Sequence, residues 1–72
     1  MSKLPALKPK RVIRALERSG FYLHHVRGSH YFFRKAERNV VIPYHTKDLK
    51  PGTLRAIIDQ SGLTVDEFLA LL

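Results

Sequence analysis

Pro9 and Gly20, and again Pro51 and Gly62, punctuate this chain so firmly that little else about its layout is free. Proline lacks only the amide proton that a helix's first turn leaves unused, and its φ is already helical. Glycine reaches the left-handed conformation that ends helices. Between the first pair, Val12, Ile13 and Leu16 fall on one face and predict a helix over about residues 9–19. Leu54, Ile57 and Ile58 do the same between the second pair. Beyond Gly62, Thr64 and Glu67 have capping-box spacing, and Val65, Phe68, Leu69 and Leu72 form an apolar stripe for a short third helix.

The stretch between the two bracketed helices changes character. Residues 21–26 and 30–34 are rich in aromatic and branched side chains, and the short link Arg27-Gly28-Ser29 predicts a hairpin. Residues 35–39 read as a polar turn, and Val40, Val41 and Ile42 as a third strand ended by Pro43, which has no amide proton for a ladder. A loop over residues 44–50 leads to the second helix. The expected fold class is α+β, in the order αβββαα: a three-stranded antiparallel sheet with one face packed on helices. Alternation along the second strand separates Tyr31 and Phe33, expected on the helices, from His30, Phe32 and Arg34, expected on the open face with Phe32 exposed. His24 and His25 are strand neighbours, expected on opposite faces as surface and partial core, which is poor geometry for chelating a metal.

At 72 residues the chain fits one domain, residues 1–72, and a domain this small buries only roughly 60% of its unfolded surface. It has no cysteine, hence no disulfide and no thiolate metal site. Residues 1–7 lack the pattern of a secretion signal, and no apolar stretch approaches the length of a membrane span. A soluble cytoplasmic protein without cofactor or metal is the expectation.

Charge narrows the partners. The formal net charge is +7, but residues 1–55 hold all 13 Lys and Arg against three acidic residues, leaving +10 there and −3 in residues 56–72. Such a basic region attracts polyanions, above all nucleic acid, by neutralising phosphates and releasing counterions. An anionic membrane or an acidic protein would satisfy the same charge. Arg11, Arg14 and Arg18 recur along one helix face as a stripe that suits a phosphate backbone or simply solvent. Lys47 and Lys50 add positive charge in the loop before the second helix, beside a second histidine, His45.

Histidine is the residue type that cutting RNA would use. An imidazole ordinarily titrates near a pKa of about 6.5, so it both takes and gives a proton at cellular pH. Attack of a 2′-hydroxyl on the neighbouring phosphate needs a base, departure of the 5′-oxygen needs an acid, and the charge growing on phosphorus needs cations or hydrogen-bond donors. In Gly28-Ser29-His30, the glycine lets the backbone turn or approach a phosphate, the serine offers a donor, and His30 is the candidate acid or base. A structural or surface histidine is the plain alternative from spacing alone. Tyr22 and Tyr44 either stack on bases or pack.

Four elements, in order, resemble one family. They are the basic first helix ending before Gly20-Phe21, then Gly28-Ser29-His30, then Ile42-Pro43-Tyr44-His45, then the run over residues 49–58 leading to Ser61-Gly62-Leu63 and Glu67-Phe68-Leu69. Over about residues 8–70 the chain resembles HicA, the small YcfA-like toxins of bacterial HicAB toxin-antitoxin modules. The resemblance implies a fold like that of double-stranded-RNA-binding domains and a ribosome-independent mRNA interferase that arrests growth. It also implies that His30 is catalytic, with an mRNA substrate and a HicB-type antitoxin that covers the histidine. His45 matches the family's Pro-x-His element and is a candidate second proton-transfer group. Gly28, Ser29, Arg11, Arg14, Arg18, Arg34, Lys47 and Lys50 are the candidate RNA contacts. A noncatalytic RNA-binding module and a protein-interaction domain are the competing readings.

Overall fold

The structure is a computed structural model that describes residues 4–72; residues 1–3, part of the N-terminal run considered above, lie outside the described residues. Its elements are α1 (Pro9–Arg18), β1 (Tyr22–Arg27), β2 (His30–Lys35), β3 (Arg38–Pro43), α2 (Pro51–Ser61) and α3 (Val65–Ala70). The sheet is antiparallel, with its strands in chain order. This is the expected α+β arrangement, helix then three-stranded sheet then two helices, like that of double-stranded-RNA-binding domains.

The punctuation works as its chemistry requires. Pro9 and Pro51 open their helices, and Gly62 closes α2 at φ +78°. Past α1, Ser19 keeps a helical φ and Gly20 takes the positive φ, after which the Phe21 amide still reaches the Leu16 carbonyl. Thr64 and Glu67 form the reciprocal capping box that starts α3. One continuous core joins the layers, with Val12 and Leu16 from α1, Phe33 from β2, Val40 and Ile42 from β3, Leu54, Ile57 and Ile58 from α2, and Phe68 from α3.

Cross-strand pairing sorts the sheet into two faces. Phe33, Val40 and Ile42 are buried against the helices with Tyr31 packed beside them, and His30, Phe32 and Arg34 occupy the open face, as alternation predicts. Phe32 differs in one respect. It is half-buried, because the His25 ring stacks on it at 4.2 Å between centroids and 7° between planes.

His24 and His25 overturn their expectation. Leu23 pairs with Phe33 and His25 with Phe32, so His24 is an extra residue in β1. A bulge of this kind resets the alternation and lets two successive side chains share a side. The two Nδ1 atoms lie 2.8 Å apart in a hydrogen bond, and both residues are exposed, so neither contributes to the core.

The turn between β2 and β3 is also tighter than its polar composition predicts. Lys35 and Arg38 pair across the strands, leaving only Ala36 and Glu37 as the turn, with Ala36 at φ +52°. Strand reading stops at polar residues, yet these are held by the helix ends. Lys35 donates its Nζ to the Ser19 carbonyl at the end of α1. Arg38 lies over Gly62, where an added Cβ would come within 2.4 Å of its Cζ. Each cation thus meets the negative end of a helix dipole.

Candidate active site

The site is built on the turn between β1 and β2. Arg27 pairs with His30, so Gly28 and Ser29 alone make the turn, with Gly28 at φ +59°. That conformation suits glycine and penalises a side chain. No heavy atom outside the turn lies within 4 Å of where a Gly28 Cβ would be, so the tip is open to an approaching ligand. His30 therefore stands at the head of β2, exposed, with no hydrogen bond from its ring among the described residues.

Arg27 is the site neighbour that sequence reading missed. Residues paired directly across an antiparallel ladder point to the same face. The register thus puts an exposed guanidinium on the same side as the imidazole. A two-residue turn was the available signal, since it pairs the residues flanking it. Chemically the two groups complement each other: an imidazole can take or give a proton, and a guanidinium can hold a phosphate.

On its other side His30 pairs with Pro43, and the next residue latches the sheet's end to the turn. The Tyr44 amide donates to the Ser29 carbonyl at 2.7 Å. Farther along the loop, the Leu49 amide donates to the Leu7 carbonyl at 2.8 Å. These two bonds anchor residues 44–49 at both ends, with exposed His45 and Lys47 on the span between. Lys50 follows, exposed, as the residue before α2.

Other candidates stand apart from His30. Arg34 shares the open face but lies four residues along the strand, about 13 Å at the usual rise. Its Nε donates to the Ala36 carbonyl at 3.2 Å. Arg11, Arg14 and Arg18 do share one side of α1, lining a cavity of about 210 Å³ with Leu72. Within that stripe Arg18 is engaged, donating to the Leu71 carbonyl, while Arg14 also borders a separate groove between α1 and the sheet. No group of three or more histidine, aspartate or glutamate side chains among the described residues could hold a metal ion. No described helix is long and apolar enough to cross a membrane.

None of the curated proteins matches the chain in sequence. The family described as the HicA toxin of bacterial toxin-antitoxin systems matches residues 9–63 of the 72, from the first residue of α1 to just beyond α2. A match over this span takes in the exposed Gly28-Ser29-His30 turn, the latched loop and the basic helix together. The role is that of a toxin, and a toxin of this kind has an antitoxin partner. The chain belongs to the HicA toxin family.

Proposed function

We propose that the protein is an endoribonuclease toxin that cuts mRNA without the ribosome or a metal ion, with His30 as its catalytic residue and a HicB-type antitoxin as its inhibitor. Residues 1–72 act as one domain, in the cytoplasm. The observation that carries this reading is His30 itself: an exposed imidazole at an open turn, paired with Arg27 and flanked by a pinned loop bearing His45.

In the reaction the substrate's 2′-hydroxyl attacks the adjacent phosphorus, and the bond from phosphorus to the 5′-oxygen of the next nucleotide breaks. One group takes the proton from the 2′-oxygen, another supplies one to the departing 5′-oxygen, and the products are a 2′,3′-cyclic phosphate and a 5′-hydroxyl. His30 performs one of these transfers and His45 is the candidate for the other. Arg27 stabilises the charge on the phosphate oxygens in the transition state. A positioned acid or base is worth about 10²- to 10⁴-fold, so losing His30 should nearly abolish cutting.

Incubating the protein with RNA and a chelator should release fragments with cyclic-phosphate ends, and His30→Ala should bind the same RNA while cutting at least about 100-fold more slowly. Equal cutting by the variant would remove His30 from the mechanism. The exposed arginines on α1 are independent of His30 and support a second reading, a module that binds RNA without cutting. Salt-sensitive binding with no fragments from the unaltered protein would favour it.

A further inference from the structure

We infer that the groove between α1 and the sheet, ending at Tyr44, is a subsite for one RNA base of a strand that passes round the end of the sheet from the open face of His30 to the helix face, and that the substrate is therefore single-stranded RNA. This rests on the proposed cutting by His30 and adds to it a means of choosing where to cut.

The groove encloses about 280 Å³ and is lined by Ile13, Leu23, Tyr31 and Tyr44, with Lys10 and Arg14 on its α1 side. It stays open because the outer strand β1 is uncovered: Leu23 is 46% exposed and Val26, paired with Tyr31 and so on the same face, is 47% exposed. Tyr44 is 38% exposed and stacks on Tyr31 at 4.6 Å between centroids and 23° between planes. The Tyr31 ring backs it on one side, holding it as a platform. Its position relative to the turn is set by its own amide, bonded to the Ser29 carbonyl one residue before His30.

These parts match the parts of a nucleotide. An aromatic face accepts any base by stacking, the apolar lining shelters it from water, and two cations one helical turn apart suit the phosphates on either side. Glu17 also lines the groove, on the helix turn nearest β1, where a carboxylate suits a base amino group and repels a phosphate. The +10 charge of residues 1–55 favours a polyanion here over an apolar partner and disfavours a second copy of the chain. A base inside a duplex is stacked and paired, so it cannot enter; only an unpaired one can. The substrate thus differs from the duplex that the fold's likeness to double-stranded-RNA-binding domains suggests.

Photo-cross-linking tests this directly. Full-length His30→Ala protein would be irradiated with a single-stranded oligonucleotide carrying 4-thiouridine, and the linked peptides mapped. We expect linkage at Tyr44 and the Lys10 to Arg14 segment, and at least tenfold weaker competition by a duplex of the same sequence. Linkage confined to other surfaces, or equal competition by the duplex, overturns the inference. With His30 intact, Tyr44→Leu keeps an apolar contact with Tyr31 but removes the stacking face, and kcat/KM should fall about 5- to 100-fold with altered cut sites. Tyr44→Phe, which keeps the ring, should lose clearly less. His30-dependent cutting that is unchanged in both Tyr44→Leu and Leu23→Glu defeats the base subsite alone and leaves the groove to a protein partner. Cutting that survives His30→Ala defeats the proposed mechanism instead.

Discussion

Replacing Gly62 by alanine tests how the sheet is fastened to the helices. Gly62 closes α2 at φ +78°, a conformation that costs a residue with a Cβ about 1–2 kcal/mol. The new Cβ would also meet the Arg38 guanidinium, at 2.4 Å from Cζ. Because that group ends a flexible side chain, it moves aside cheaply, and the loss is confined to its interaction with the helix end. For an exposed cation this is about 0.3–1 kcal/mol. The two contributions sum to roughly 1.3–3 kcal/mol, a large share of the stability of a small domain. At about 4–8 °C per kcal/mol, the melting temperature should fall by between about 5 and 24 °C.

Thermal and urea unfolding, followed by circular dichroism, would measure that loss. Arg38→Ala alone should cost only about 0.3–1 kcal/mol, and Gly62→Ala placed in that background should cost the backbone share alone. The cycle should therefore show a coupling of about 0.3–1 kcal/mol between the two positions. If Gly62→Ala costs the same in both backgrounds, Arg38 does not act on the end of α2. If it costs less than about 0.5 kcal/mol in either, the left-handed cap is not what holds this helix end.

Two further substitutions probe the two hairpins. Arg27→Ala should lower kcat for RNA cutting by about 10- to 1000-fold with little change in the melting temperature, and Arg27→Lys should recover part of the loss; unchanged kcat would remove the guanidinium from the transition state. Ala36→Gly, which relieves a positive φ of 52°, should raise stability by up to about 1 kcal/mol in urea unfolding, and a clear loss would mean the tight turn is not populated.

The helices were legible because their signals are local. Pro9 and Pro51 open them, Gly62 ends α2, and Thr64 with Glu67 starts α3, all through contacts within a few residues. The inward set Tyr31 and Phe33 was legible for the same reason, since strand alternation needs no knowledge of the partner. His24 escaped this logic. Nothing in its neighbours announces a bulge, which exists only where β1 and β2 disagree by one residue, and that disagreement brings two histidine rings together. Lys35 and Arg38 escaped it too, because the helix ends that hold them are more than a dozen residues away in sequence.

For the site the division falls in the same place. Sequence alone determined that an imidazole would follow a glycine turn at the head of a strand, that a basic helix would precede it, and that His45 would follow the third strand. Only the tertiary structure decided which groups meet. Strand register put Arg27 on the same face as His30, the Tyr44 amide tied the loop to the turn, and Arg34 was left at the strand's far end, bonded to the Ala36 carbonyl. The physical reason is the reach of the forces involved. Turn preference and side-chain periodicity act between neighbours along the chain, whereas register and docking are chosen by the core as a whole, which holds Val12, Phe33, Ile42, Ile58 and Phe68 together.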